Sequence, residues 1–322
     1  MCFGLRYGII ALFLFLSNAV SAQQDYEMIP FGDMDSWVVR RITESAVIGK
    51  QTKLIYAIDP VDTIVGNSVY RAKSSPWGCS NVMAKVSGIT KASSSVYPER
   101  RGDGYAARLE SCVESISAFG IMNIKVLVGG SIFLGYFLEP AKNSSETWGQ
   151  IVCGIPFNRR PKSLMFDYRV KLSGDSDRVR MSGMSKRSVV KGKDMAAVNL
   201  FLQRRWEDKD GNIYAKRIAT LVLRMDRDCD WVDDASFDIL YGDISGRDDF
   251  DPSSMGLLKG EDRRYGLNSR GENVPIQEVG WGTGDEKATH IILEFCSSHG
   301  GSYVGSPGNT FWIDNVRLGY SK

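Results

Sequence analysis

The chain has 322 residues, with 40 basic against 38 acidic side chains and a hydrophobic share of 43%. That balance excludes the concentrated basic excess of a nucleic-acid-binding surface. The apolar share is ordinary, so a sizeable core can form, and length alone permits one large β domain or two smaller ones.

The N-terminus reads as a targeting segment. Arg6 supplies a short basic region, and Ile9 to Leu16 is an apolar stretch too short to span a bilayer. Val20-Ser21-Ala22 is a small-residue cleavage site. The expectation is a signal peptide over 1–22, cleaved after Ala22, and an exported mature chain that is periplasmic, cell-surface or secreted. Cys2 lies too early to carry a lipid anchor, and no Cys follows the cleavage site directly.

Five cysteines remain in the mature chain: Cys79, Cys112, Cys153, Cys229 and Cys296. None has the C-x-x-C spacing of a zinc site. Export permits disulfides, but pairing cannot be read from sequence. Cys153 and Cys296 sit beside apolar runs and read as small buried hydrophobes. Ile121 to Leu138 is apolar over a membrane-like length. Asn123, Lys125 and Gly129-Gly130 interrupt it, so it reads as two short strands joined by a Gly turn and not as a transmembrane helix.

In chain order, Phe31 to Trp37 reads as an opening strand with a polar turn and an aromatic anchor. Trp77 to Asn81 reads as a loop before a strand at Val82–Val86. Tyr105, Ala107 and Leu109 share one face of a strand, as do Leu164, Phe166, Tyr168 and Val170. Val198, Leu200 and Leu202 alternate with Asn199, Phe201 and Gln203, then Ala219, Leu221, Leu223 and Met225 with Thr220, Val222 and Arg224, then Ile291, Leu293 and Phe295 with Ile292 and Glu294. Phe311 to Tyr320 closes the set. Unbroken alternation there places Trp312, Asp314, Val316, Leu318 and Tyr320 on one face and Phe311, Ile313, Asn315 and Arg317 on the other. No segment sustains a 3.6-residue period. Short strands between Gly, Ser, Asp and Asn turns predict an all-β chain, a single antiparallel β-sandwich or jelly roll over 23–322 with long loop insertions. The loop Arg227 to Asp285 is long enough to hold elements of its own.

Several motifs fail their structural tests. Gly102-Asp103-Gly104-Tyr105-Ala106-Ala107 matches a dinucleotide fingerprint in letters, but a polar turn precedes it and a strand follows, where the chemistry needs a strand and then a helix. Asp226-x-Asp228-x-Asp230 begins like an EF-hand, yet Trp231 and Phe237 stand where Gly and Glu belong. With only His290 and His299, and no nucleophile elbow, His-based hydrolysis and a His-built zinc site are not indicated. A carboxylate pair for glycoside cleavage remains open, since sequence gives no distances.

Two sets of candidate residues follow. Trp77, Trp206 and Trp281 lie beside Gly or charged loop residues, where an exposed indole can stack on a sugar face; Trp37 and Trp312 read as core. Asp314 is a carboxylate among apolar neighbours, so it requires a cation or several hydrogen-bond donors. Asn143-Ser144-Ser145 is an N-glycosylation triplet.

Four blocks in order carry a resemblance over about residues 70 to 320. They are Trp77-Gly78-Cys79-Ser80-Asn81, Gly102-Asp103-Gly104-Tyr105-Ala106-Ala107-Arg108-Leu109, Gly154-Ile155-Pro156-Phe157-Asn158-Arg159-Arg160-Pro161 continuing to Tyr168, and the ending from Ser297 to Leu318. Together they resemble the "putative carbohydrate metabolism domain" family of exported Bacteroidota proteins. The resemblance implies a jelly roll like carbohydrate-binding modules, of galactose-binding-like type, encoded near glycan-utilisation systems. It also implies a structural calcium, with Asp314 on the last strand and Asp33 or Asp35 opposite it. The chain departs from the family in lacking an evident N-terminal immunoglobulin-like domain and a lipid-attachment Cys. The expected function is saccharide recognition without cleavage. Rival expectations are a two-carboxylate glycoside hydrolase and an adhesive surface protein with no sugar ligand.

Overall fold

The structure is a computed structural model that describes residues 25–86, 88–118, 122–141, 148–183 and 187–320. The expected signal peptide and the Asn143 triplet lie outside the described residues. Among those residues there is no α-helix, and three short 3-10 turns interrupt a chain built from strands.

Two sheets form a sandwich. The front sheet runs Cys229–Asp238, Ser163–Lys171, Thr310–Tyr320, Gly104–Glu110, Val96–Arg101, all antiparallel, and Asp25–Met28 pairs with the far end of Thr310–Tyr320. The back sheet runs Ile151–Cys153, Ser131–Phe137, His290–Cys296, Ala196–Glu207, Ile213–Met225, Asn273–Trp281, Tyr265–Leu267. Its pairs are antiparallel except Ile213–Met225 with Asn273–Trp281. The all-β sandwich expected from the alternation is therefore present.

The alternating apolar residues meet between the sheets. Leu164, Phe166, Val170, Ala107 and Leu109 face Val198, Leu200, Leu202, Ala219, Leu221, Ile291, Leu293 and Phe295 in one core, with Tyr105, Tyr168, Leu223 and Met225 packed at its margin. A satellite core of Ile42, Ile55, Met83 and Ala92 sits under the strands Trp37–Thr43 and Thr52–Ile58 and the hairpin Val82–Val86/Ile89–Ser93. The loop after Arg227 supplies four strands, as its length implied.

Three expectations need correction. The strands Met122–Val128 and Ser131–Phe137 flank Gly129-Gly130 as predicted, but they do not pair with each other. The first pairs with Cys112–Ala118 and the second enters the back sheet. No Cβ fits at Gly130, where it would meet the Glu110 nitrogen and the Ser95 oxygen, so the chain crosses between sheets there by close backbone approach.

Trp77 lies in the strand Trp77–Cys79, not in a loop. It is 2% exposed, and its indole N–H donates to the Pro30 carbonyl at 2.9 Å.

The closing strand does not alternate without a break. Asp167 pairs with Asp314 and Met165 with Arg317, so two closing-strand residues, Asn315 and Val316, oppose the single Phe166. Asn315 takes a left-handed φ of 51°, which Asn tolerates better than most residues. This β-bulge shifts the phase by one residue. Phe311 and Ile313 point inward before it, and Val316 and Leu318 after it. Trp312 and Asp314 are therefore on the outer face, with the Arg169 guanidinium 4.9 Å from the Trp312 ring centroid.

Candidate functional site

The bulge that turns Asp314 outward also receives the N-terminal loop. Ile29 N–H donates to the Val316 carbonyl and Val316 N–H to the Gly32 carbonyl. Phe31 and Met34 adopt positive φ values of 59° and 51°, which fold the loop tightly against the strand. The result is a cleft of about 450 Å³ on the outer face of the front sheet, lined by Asp33, Asp35, Arg101, Tyr105, Asp314 and Asn315 together with Gly102 and Gly104. Asp33, Asp35 and Asp314, more than 275 residues apart at the extremes of the chain's described length, line one cleft.

The cation in this cleft is Arg101, at the end of Val96–Arg101. Its Nη1 donates to Asp314 Oδ2 at 2.6 Å and Asp167 Oδ2 at 2.9 Å, and its Nη2 donates to Asp233 Oδ1 at 2.5 Å. The guanidinium lies 4.0 Å from the Trp231 ring centroid. Asp167 also accepts from Asn315 Nδ2 and from the Asp234 backbone N–H, each at 2.8 Å, while Arg317 donates to Asp234 at 2.6 Å.

One guanidinium thus serves three carboxylates, and their environments differ. Burial would raise Asp167, but hydrogen bonds from Asn315, the Asp234 N–H and Arg101 outweigh it and hold this carboxyl below its usual range. Burial dominates at Asp314, which is pushed up to about 6 despite Arg101 and the Asn315 N–H; the ionised Asp167 beside it adds to the rise.

Hydrogen-bond donors already hold several of the oxygens that the resemblance implied for calcium. Arg101 and the Asn315 N–H hold the two oxygens of Asp314, and one oxygen of Asp35 accepts the Tyr105 N–H at 2.7 Å. Among the described residues no three His, Cys, Asp or Glu side chains are grouped to hold a metal. The cation and the backbone donor that Asp314 requires are Arg101 and the Asn315 N–H, neither of which sequence reasoning named.

The three tryptophans separate. Trp77 belongs to the core and offers no face to a ligand, which corrects its reading as a sugar platform. Trp281 is half-buried, with Phe250 edge-on at 6.4 Å and the Arg217 guanidinium 5.7 Å from its ring. Trp206 is 43% exposed and stacked on Tyr214 at 5.9 Å and 21°. These two are cross-strand partners near the end of the hairpin formed by Ala196–Glu207 and Ile213–Met225. The register shifts between Leu202 and Gln203, and beyond it Trp206 and Tyr214 lie opposite each other on one side of the hairpin, whose end also pairs with Asn273–Trp281. The next pair on that side is Arg204 and Lys216, both bonded to Glu286, at 2.9 and 3.3 Å.

His290 is half-buried; burial and nearby Arg205 push it down to about 4, so it is neutral at pH 7. His299 contacts Asp194 at 3.0 Å, in a turn where Asp194 also accepts from Ser298 and the Ser306 N–H. All five described cysteines are free. Burial pushes Cys79 up to about 11 and Cys153 and Cys296 up to about 12.

No protein-family model and no curated protein matches the sequence. Solved structures similar to the chain include two from Bacteroides species. One, described as a "putative glycoside hydrolase" from Bacteroides vulgatus, shares 13% identity at a TM-score of 0.45, covering 82% of this chain and 91% of that one. The other, described in the same words, is from Bacteroides thetaiotaomicron. It shares 14% identity at a TM-score of 0.42, covering 85% of this chain and 76% of that one.

Proposed function

We propose that the protein recognises a saccharide and does not cleave it. The stacked pair of exposed Trp206 and half-buried Tyr214 carries this reading. Two flat rings held in place by a strand pair offer a pre-ordered apolar face that can stack on the C–H face of a pyranose at little conformational cost. Arg204, Lys216 and Glu286 beside the rings supply the donors and acceptors that a polyhydroxyl ligand requires. The reading accords with the sequence resemblance to the carbohydrate metabolism domain family. Purified chain on a glycan array, followed by titration of the strongest hit, tests it. Trp206→Ala and Tyr214→Ala should each weaken binding by roughly tenfold, in line with about 1.4 kcal/mol per ring contact.

A second reading rests on the carboxylates that share Arg101 beside the front cleft. Asp314 and Asp167 touch the same guanidinium nitrogen, yet one titrates high and the other low, the pattern that separates a proton donor from an ionised partner in two-carboxylate chemistry. It requires release of new reducing ends from a polysaccharide, abolished by Asp314→Asn.

A further inference from the structure

The charges beside the ring pair are unequal. Successive same-side residues of a strand stand roughly 7 Å apart. The cross-strand pair Arg204 and Lys216 is therefore within reach of a substituent on a pyranose that lies over Trp206 and Tyr214. Both cations share one carboxylate. Arg204 Nη1 donates to Glu286 Oε2 at 2.9 Å and Lys216 Nζ to Glu286 Oε1 at 3.3 Å. Glu286 also accepts the Thr283 N–H at 3.1 Å, and the Thr283 N–H, Arg204 and Lys216 together hold its carboxyl down to about 2, so it is ionised. Two positive charges against one negative leave a surplus cation, and the sequence neighbours Asp285 and Lys287 cancel each other. A guanidinium and an ammonium each carry several N–H donors. Glu286 accepts one from each, and the two side chains are 56% and 43% exposed.

The acid at the other end of the rings is saturated. Asp208 accepts from the backbone N–H groups of Asp210 and Asn212 and from Asn212 Nδ2, each at 2.9 Å, and from the Tyr214 hydroxyl. Those donors fill the acceptor sites of a carboxylate, about four in number. Asp208 therefore fixes the turn and the Tyr214 ring and has nothing left to offer a ligand. The rings have open donors on one side and spent acceptors on the other.

We infer that the saccharide is acidic: one sugar ring lies on Trp206 and Tyr214, and a carboxylate or sulfate group on that sugar or its neighbour meets Arg204 and Lys216. This rests on the saccharide reading of the ring pair and specifies the charge of the ligand. An anionic group exchanges water for charge-assisted hydrogen bonds, which an arginine gives in pairs to a carboxylate or to sulfate oxygens.

The test titrates the purified chain with two matched pairs of probes: a homo-oligomer of a hexuronic acid and its methyl ester, and a sulfated oligosaccharide and its desulfated form. Each pair keeps ring and linkage and removes the charge. At least one charged member should bind about fivefold more tightly than its uncharged partner, the scale of an exposed ion pair, and the gain should fall as salt rises. The pair that shows it identifies the anion as carboxylate or sulfate. Arg204→Gln should bring the ratio to about one, and Glu286→Gln, which releases both cations, should raise it. Each result is a ratio within one protein, so a loss of folded chain does not imitate it. The inference is overturned if neither pair favours its charged member, if the preference ignores salt, or if Arg204→Gln leaves the ratio unchanged. Uncharged probes bound as well as charged ones, and weakened by Trp206→Ala, would overturn the acidic ligand and keep the saccharide reading. No binding of any glycan would overturn both.

Discussion

Asp314 is a carboxylic acid in a place where ionisation is costly, and its neighbours do not fully offset that cost. Its folded pKa, about 6, lies above the ordinary value near 3.9, so the native state binds more protons than the unfolded state between those values. The stability it contributes is present in full below about pH 4 and is lost as pH rises towards 6. Asp314→Asn removes the titration. Across urea titrations from pH 7.5 to pH 4.5, wild type should gain on the variant by on the order of 2 kcal/mol. A constant difference would show that Asp314 is ionised throughout. Arg101 is the other half of this account. Arg101→Ala leaves Asp314 buried without its cation, while Asp167 keeps Arg317 at 3.5 Å, and should cost about 3 kcal/mol, whereas a chelator should leave the melting temperature of wild type unchanged. A fall in chelator would restore a metal to the cleft.

The need of Asp314 for a cation or several hydrogen-bond donors was legible in the sequence; its placement opposite Asp33 or Asp35 came only from the family resemblance. The identity of the cation was not legible. Arg101 is one of 40 basic residues, and nothing near it in sequence marks that its hairpin ends beside the closing strand. Asp167 was hidden for a related reason. Its strand alternates cleanly, so it read as an ordinary outward polar position, and only the register opposite Asp314 gives it a role.

At the scale of the element, the bulge at Asn315 decides more than any other local feature. Period-two reasoning succeeded along Ser163–Lys171, Ala196–Leu202 and His290–Cys296 because those runs are unbroken where they cross the core. It failed on the closing strand because a bulge adds one residue without adding any compositional mark. Asn315→Val places a β-branched side chain at a φ of 51° and should cost about 1–3 kcal/mol more than Asn315→Gly, since both lose the hydrogen bond to Asp167 but only valine is strained. Equal losses in denaturant would mean that the bulge relaxes without cost. Trp77 is the second failure at this scale. Flanking Gly and Ser made it look like a loop residue, but the short strand Trp77–Cys79 is stitched onto Ser131–Phe137 and drives the indole into the core. Trp77→Ala should destabilise by about 3–5 kcal/mol through cavity formation. Any change in ligand binding should follow the loss of folded protein.

At the scale of the molecule, the sandwich keeps two features apart. The charged cleft occupies the outer face of the front sheet, and the ring pair the end of a back-sheet hairpin. The β class and most of the core were readable from alternation, because burial between two sheets imposes that period directly on sequence. The site was less readable. Trp206 could be nominated from its charged neighbours, but Tyr214 becomes its partner only through cross-strand register. The measurement that bears most directly on the central claim is titration of wild type, Trp206→Ala and Tyr214→Ala with the best glycan from an array, alongside melting curves for all three. Saccharide binding weakened about tenfold in each variant, at unchanged melting temperature, is the predicted result. Absence of any glycan ligand, or binding indifferent to both rings, would contradict it.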